Sequence, residues 1–321
     1  MLDRADRIAY QWGTVSRSAP LEPGSNTRVS LVGLGHMGVP IAERILEAGY
    51  PLTVFNRTTA KMQPLLDRGA RAAGGLPELL AESDICVSSL SDDAALGAVA
   101  TPLLSGARPG TVLIDTSTVS VAASARVAAA AAEAGVLYLR APVSGNPVVV
   151  RSGNLTVIVS GPAEGFERAR DLIAAIGPNI FYVGSADEAR IVKLVLQVMI
   201  AGTAQLMAES LVLGETAGVD RARLLEVMGN SAVGSPFVKY KTDPLLRDDY
   251  NATFTTSMMK KDVDIVLELA AERAAPLPLT EKVAELLEAT IEGGYADVDF
   301  IALFLECRKT AGLGVVEPAP Q

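Results

Sequence analysis

The chain has 321 residues, of which 49% are hydrophobic and 20% charged, and its net charge is −9. This length predicts two domains of about 150 residues each, and the acidic balance argues against non-specific binding to nucleic acid or to anionic membranes. With two cysteines (Cys86 and Cys307) and one histidine (His36), the composition excludes a disulfide framework and argues against a metal site or a histidine triad.

Residues 1–27 contain Pro, Ser and Gly but no apolar core of the kind found in secretory signals. They predict a flexible extension and a cytoplasmic protein. The most apolar stretch, residues 191–214, is interrupted by Lys193, Gln197, Gln205 and Glu209. It is therefore predicted to be a buried helix, not a membrane span.

From residue 28 to about 186, short β-branched runs alternate with helical patterns. Strand–helix alternation at this spacing predicts an α/β domain with a Rossmann-type, doubly wound parallel sheet. The strand-like runs are RVSLVGLG, PLTVF, DICVSSL, TVLID, VLYLRA, LTVIVSG and NIFYVG.

Residues 187–316 change to an almost entirely helical pattern, which predicts an all-helical second domain for substrate binding and dimerisation. Asp220, Thr280 and Asp297 lie where helix N-caps are expected. The predicted helices lie near residues 188–216, 221–229, 258–274, 281–292 and 298–312.

A glycine-rich loop directly follows the first predicted strand and opens a helix. Gly33 permits a tight turn, Gly35 lets the backbone approach a pyrophosphate, and Gly38 allows close helix–strand packing. His36 and Met37, inside the loop, would contribute backbone amides, and the His36 side chain is expected in solvent rather than in catalysis. The alternative is a simple cluster of turn glycines.

The second strand ends in Asn56-Arg57-Thr58, where NAD-specific sites usually carry an acidic residue. Asn56 does not repel a 2′-phosphate, and Arg57 and Thr58 can donate hydrogen bonds to it. This predicts NADP as the preferred cofactor, with NAD as the second choice. An ordinary solvated arginine at a helix start is the alternative.

Reduction of a carbonyl by hydride needs a proton donor. The chain has no Tyr-x-x-x-Lys pair, but Lys193 lies in the most apolar helix, with Gln197 on the same face one turn later. Burial lowers the pKa of a lysine towards neutrality, which favours Lys193 as the acid/base group. The alternative is a snorkelling lysine at a helix end.

Several blocks resemble the β-hydroxyacid dehydrogenase family, which includes 3-hydroxyisobutyrate dehydrogenase. They are LVGLGHMGVPIAERILEAGYPLTVFNRT, DTST at residues 115–118, APVSG through RSGNLT, Lys193, and F-x6-K-D ending at Asp262. The resemblance implies that Lys193 is the general acid/base and that Ser144 and the Gly145 amide hold a substrate carboxylate. A plain turn hydroxyl is the alternative for Ser144.

The same resemblance implies further cofactor contacts. The Leu90-Ser91 turn and Thr118 would flank the nicotinamide, and Lys261 would reach the cofactor from the helical domain. A solvated lysine is the alternative for Lys261.

The chain departs from the family pattern at five positions, three of which would cluster around the substrate. Gln197 replaces the usual Asn, Leu196 replaces a second Asn, Asn146 replaces the second Gly of Ser-Gly-Gly, Val149 replaces a small residue, and Arg140 replaces an Asp. Because Lys193 and Ser144-Gly145 remain, we expect retained chemistry in an altered pocket.

The resulting hypothesis is an NADP-preferring oxidoreductase acting on CH–OH groups, as a homodimer or homotetramer. It would interconvert a small 3-hydroxy acid with its semialdehyde or oxo acid, so that its partner is a small carboxylate or carbonyl compound. Gln197 would orient the substrate or Lys193. Two alternatives remain open: an imine reductase on the same cofactor fold, and a non-catalytic cofactor-binding module.

Overall fold

The computed structural model describes residues 26–314. All but the last two residues of the predicted extension, and the end of the predicted helical domain, therefore lie outside the described residues. The predicted boundary at residue 186 lies in the short segment between the last strand, which ends at Gly184, and the long helix that begins at Glu188.

The first half folds as a nine-stranded sheet covered by helices. Its strands are β1 (Val29–Val32), β2 (Leu52–Phe55), β3 (Arg71–Ala72), β4 (Ile85–Ser88), β5 (Val112–Asp115), β6 (Leu137–Arg140), β7 (Val143–Ser144), β8 (Thr156–Ser160) and β9 (Asn179–Gly184). Its helices are α1 (Gly38–Glu47), α2 (Gln63–Leu66), α3 (Leu76–Ala81), α4 (Asp93–Leu104), α5 (Val121–Glu133), α6 (Pro147–Arg151) and α7 (Ala163–Ile176).

The parallel part of the sheet has the order β3-β2-β1-β4-β5-β6, the order of a Rossmann fold, and this confirms the predicted fold class. The strand order reverses between β1 and β4, so the crevice at their carboxyl ends is the expected ligand site. At the far edge the sheet becomes mixed, because β8 pairs antiparallel with β6 and β7. An alternating apolar pattern is the same in both directions and carries no information about strand polarity.

The second half is helical, as predicted. Its helices are α8 (Glu188–Thr216), α9 (Arg221–Asn230), α10 (Pro236–Arg247), α11 (Thr256–Glu272), α12 (Pro278–Thr290) and α13 (Leu303–Thr310), with a π-helical turn at Ile291–Tyr295 and a 3₁₀ turn at Phe300–Ala302.

Asp220 caps α9 as predicted, accepting from the amides of Ala222 and Arg223. The N-caps predicted at Thr280 and Asp297 were wrong. Thr280 is buried inside α12, which begins two residues earlier at Pro278, where a proline suits the first helical turn. Asp299, not Asp297, caps the 3₁₀ turn before α13, through the amide of Ile301.

Each half has its own core, and α8 connects them. Apolar side chains from both faces of the sheet form the first, and Ala204, Ala208 and Leu211 of α8 belong to the second. Within residues 26–314, α8 is the one helix long and apolar enough to cross a membrane by length and composition, a test that core helices of soluble proteins also pass.

Candidate active site

The glycine loop between β1 and α1 leaves room for a pyrophosphate. Gly33 has a positive φ of 95°, and a Cβ there would lie 2.2 Å from the carbonyl oxygen of Ser89. A Cβ on Gly38 would lie 1.8 Å from the Gly33 oxygen, whereas one on Gly35 would meet no atom within 4 Å. The loop is thus closely packed on the protein side and open at Gly35, which fits a dinucleotide held by the first amides of α1.

The side chain of Asn56, at the end of β2, holds this loop in place. Its Oδ1 accepts from the Leu34 amide at 2.9 Å, and its Nδ2 donates to the Thr58 carbonyl at 3.0 Å. Arg57 and Thr58 are exposed beside it. The structure therefore brings the three predicted ribose-side residues next to the glycine loop. His36 is exposed, as expected, and Met37 is half-buried.

Two further loops follow the carboxyl ends of β4 and β5. The Leu90 amide donates to Ser117 Oγ at 2.9 Å, which joins the Leu90-Ser91 turn to the segment that carries Thr118. The predicted nicotinamide-side residues are therefore neighbours at the strand-order reversal.

Lys261 of α11 reaches both loops from the helical domain. Its Nζ donates to the carbonyl oxygens of Ser91 at 2.9 Å and Thr118 at 2.8 Å, and forms a 2.8 Å ion pair with Asp262 Oδ1. Lys261 thus ties the helical domain to the predicted nicotinamide loops. A direct contact with the cofactor stays a prediction.

Lys193 lies at the buried end of a polar chain inside the helical domain. Its Nζ donates to Gln197 Oε1 at 3.2 Å, and Gln197 Nε2 donates to Asp262 Oδ2 at 2.5 Å. Asp262 is fully buried. Because Lys261 pairs with the other oxygen of this carboxylate, the chain Lys193–Gln197–Asp262–Lys261 ends at the Thr118 carbonyl.

The surroundings of Lys193 lower its pKa below the ordinary lysine value. Burial is the main cause, the carboxylate of Asp262 opposes it, and the charge of Lys261 adds to it. A lysine with a lowered pKa can exchange a proton with a bound substrate. The snorkelling alternative predicts an exposed ammonium, and Lys193 is buried.

The predicted carboxylate pocket is a tight turn after β7. Gly145 has a φ of 141°, and a Cβ there would lie 2.8 Å from Leu155 Cδ1 and 3.0 Å from Val149 Cγ1. Val149 therefore packs directly under the turn that follows Ser144. Asn146 caps α6, accepting from the amides of Val148 and Val149 at 3.0 Å each.

A second polar cluster faces this turn from α10. The Tyr240 hydroxyl lies 2.5 Å from Thr253 Oγ1, which is also 2.9 Å from Asp299 Oδ2, and Lys241 Nζ donates to Asp299 Oδ1 at 2.6 Å. Burial raises the pKa of Tyr240, while hydrogen bonds with the Thr253 and Asn146 side chains oppose this rise. Tyr240 thus approaches the turn after β7 from the helical domain.

The sequence did not single out two of these residues. Asp262 ends the F-x6-K-D block, but no role was assigned to it from the sequence. Its position next to Lys261 could have indicated an ion pair. Tyr240 was missed together with all of α10, which carries Pro236 in its first turn and Pro244 in its interior, and an interior proline disfavours a helix. In the part of the chain that the structure describes, no three His, Cys, Asp or Glu side chains form a group that could hold a metal ion.

Family models match both halves of the chain. Residues 28–184 match the NAD-binding domain of 6-phosphogluconate dehydrogenase, and residues 188–305 match the NAD-binding domain of NADP-dependent 3-hydroxyisobutyrate dehydrogenase. An uncharacterised oxidoreductase of Bacillus subtilis is 35% identical over 88% of this chain and 100% of its own length. The chain belongs to the β-hydroxyacid dehydrogenase family.

Other relatives in this family have assigned activities. The NAD-dependent L-serine dehydrogenase of Pseudomonas aeruginosa is 32% identical over 85% of this chain and 95% of its own length. The crystal structure of a Salmonella typhimurium 3-hydroxyisobutyrate dehydrogenase has a TM-score of 0.80, with 25% identity over 87% of this chain and 99% of that one. An imine reductase from Pseudomonas sp. shares the fold, with a TM-score of 0.60 and 23% identity over 87% of this chain and 99% of that one.

From the two domain matches and these relatives, we conclude that the protein is an oxidoreductase of this dehydrogenase family and binds NADP or NAD. The glycine loop, the strand order and the open space at Gly35 agree with that cofactor class.

Proposed function

We propose that the protein is an NADP-preferring dehydrogenase/reductase that interconverts a small 3-hydroxy acid and its semialdehyde or oxo acid, with Lys193 as the general acid/base. The observation that carries this proposal is the buried chain from Lys193 through Gln197 and Asp262 to Lys261. It connects a lysine of lowered pKa to the loops that would flank a nicotinamide.

The bound nicotinamide supplies or accepts the hydride. In the reductive direction, the Lys193 ammonium donates a proton from Nζ to the carbonyl oxygen of the substrate. In the oxidative direction, the neutral amine removes the hydroxyl proton. Gln197 holds Nζ in place through its Oε1, because its amide nitrogen is already committed to Asp262.

The substrate carboxylate would be bound by the hydroxyl of Ser144 and the amide of Gly145. Neutral donors suit this task because they favour an anion without burying a second cation next to Lys193. Val149 and Asn146 lie beside this turn, where the family pattern has a small residue and a glycine. These two replacements would alter the substrate pocket.

The NADP preference rests on the end of β2. Arg57 is exposed next to Asn56, which anchors the glycine loop, and no carboxylate follows the strand to repel a 2′-phosphate. NAD, which lacks this phosphate, would bind the same site more weakly.

The exposed face of α8 is the proposed interface between two copies in a homodimer or homotetramer. Its outward apolar residues recur every four or seven positions, which places them in one stripe along the helix. We define this as the α8 stripe: Ile191, Val195, Met199, Leu206 and Leu213. The assembly would work in the cytoplasm.

A substrate screen tests the proposed function. Small 3-hydroxy acids with NADP, their semialdehydes with NADPH, and a cyclic imine with NADPH are each followed by NADPH absorbance. We expect turnover of the hydroxy acid and semialdehyde and none of the imine. Turnover of the imine alone would favour an imine reductase. Binding of NADPH without turnover of any compound would favour a non-catalytic module.

A further inference from the structure

A fully buried arginine at the start of α8 holds the cofactor loops. Arg190 is 1% exposed and pairs with the equally buried Asp115 at the end of β5, Nη2 to Oδ2, at 2.5 Å. It also donates to the Ser117 carbonyl, to Ser124 Oγ at 3.2 Å and to Tyr138 Oη at 3.1 Å. One guanidinium therefore bonds to four acceptors in the first domain, which lie on β5, α5, β6 and the loop between β5 and α5.

Asp115 connects Arg190 to the predicted nicotinamide loops. Its Oδ1 accepts from Ser88 Oγ at 2.8 Å and from Ser117 Oγ at 2.6 Å. Ser117 Oγ in turn accepts from the Leu90 amide. The Leu90-Ser91 turn and the segment that carries Thr118 are thus both attached to the carboxylate that Arg190 neutralises.

Arg190 also lies next to the proposed acid/base group along the helix. It precedes Lys193 by three residues, which is about 4.5 Å along a helix axis at 1.5 Å per residue. Both side chains are buried on α8. Any shift of α8 relative to β5 would therefore move Lys193 relative to the cofactor loops.

We propose that Arg190 is a positioning residue, which holds Lys193 at its working distance from the nicotinamide loops through Asp115. This inference rests on the proposed role of Lys193. Lysine cannot replace Arg190, because an ammonium has three donors and no planar fork, whereas the guanidinium here serves four acceptors. A misplacement of about 1 Å can cost roughly 100-fold in rate.

A second ion pair at the same helix start offers a matched control. Arg140 of β6 donates from Nε to Asp187 Oδ1 at 2.8 Å, one residue before α8 begins. Arg140 is also buried, and its side chain pairs with Asp187 and packs on the Tyr138 ring. Arg140→Lys therefore disturbs a comparable buried pair while leaving the hydrogen bonds of Arg190 to Asp115 and to the Ser117 carbonyl in place.

The test is a double-mutant cycle on single-turnover hydride transfer, with NADPH affinity and Tm measured in parallel. We expect Arg190→Lys to lower the rate by about 10- to 100-fold, with NADPH affinity within about threefold of wild type. In a Lys193→Ala background the same change should cost less than about threefold, because the group being positioned is gone. Arg140→Lys should stay within about threefold in both backgrounds.

Equal losses from Arg190→Lys in both backgrounds would overturn the proposal, as would a rate like wild type in the single variant. If Arg190→Lys does not fold, Tyr138→Phe is the second test, because the Tyr138 hydroxyl accepts from Arg190 and donates to Asp115 Oδ2 at 3.0 Å. Its removal should lower the rate by about 3- to 10-fold, again only when Lys193 is present. Unchanged turnover in Lys193→Ala alone would instead contradict the proposed function.

Discussion

At the scale of single residues, charge and burial compete at Lys193. Burial favours the neutral amine, whereas the Asp262 carboxylate favours the ammonium. In solution, the lysine would be almost fully protonated at neutral pH. These opposing effects would let Lys193 act as an ammonium in reduction and as a neutral amine in oxidation.

Asp262→Asn should shift the pH dependence of reduction. Reduction needs the ammonium, so its rate falls as the pH rises through the pKa of Lys193. The Asp262 carboxylate raises the pKa of Lys193. Removing that charge should therefore lower the pKa of Lys193 further, and the fall in kcat/KM should begin at a lower pH. Asp264→Asn on the same helix, where Asp264 pairs with Lys260 at the surface, is the control and should leave the profile unchanged. An unchanged pH profile would show that Asp262 does not affect the pKa of Lys193.

We attribute the proposed preference for NADP over NAD to Arg57. Arg57→Ala should weaken NADP by roughly 10- to 150-fold, since a charge-assisted hydrogen bond contributes about 1.5–3 kcal/mol, and should spare NAD. Binding titrations with both cofactors measure this, and Arg71→Ala, at an exposed arginine on β3, should affect neither. Equal weakening of both cofactors would show that Arg57 does not contact the 2′-phosphate.

At the scale of elements, the long regular patterns were predictable and the local exceptions were not. The apolar run of α8 and the β-branched runs of β1, β4 and β5 stood out because burial demands such patterns. By contrast, α10 was not predicted, because Pro236 and Pro244 interrupt its helical pattern. The direction of β8 in the sheet depends on contacts between residues far apart in the sequence. The site was predictable where a single residue type carries the chemistry, as at Lys193. It was not where partners come from distant elements, as at Asp115 and Arg190.

The glycine loop gives a paired prediction. Gly38→Ala should lower the free energy of unfolding by about 1–3 kcal/mol, because its Cβ would overlap the Gly33 carbonyl. Gly35→Ala should leave Tm unchanged, because that Cβ meets open space, and should weaken NADPH by about tenfold or more, or at least 1.4 kcal/mol. Thermal unfolding and binding titrations distinguish the two. Normal NADPH binding by a folded Gly35→Ala variant would contradict the assigned pyrophosphate site.

At the scale of the whole molecule, α8 belongs to both domains and to the proposed dimer. One side of it carries Lys193 and the apolar core of the second domain, while the α8 stripe faces outwards. Exposed apolar residues are common singly, but aligned ones mark interaction surfaces.

Disrupting the α8 stripe should dissociate the assembly. The double variant Met199→Asp and Leu206→Asp, at side chains 65% and 54% exposed, should sediment as a monomer under conditions in which the wild type is a dimer or tetramer. Val227→Asp, on α9 at a 66% exposed residue outside the stripe, should keep the wild-type assembly. An unchanged sedimentation coefficient in the double variant would place the interface elsewhere.

Single-turnover hydride transfer at saturating NADPH shows whether Lys193 transfers the proton. Lys193→Ala should lower the rate by roughly 10²–10⁴ while NADPH affinity survives, because the glycine loop lies in the other domain. Lys193→Arg should not restore it, since a guanidinium cannot release its proton near neutral pH. A rate near that of the wild type in Lys193→Ala, with the best hydroxy-acid or semialdehyde substrate, would contradict the account.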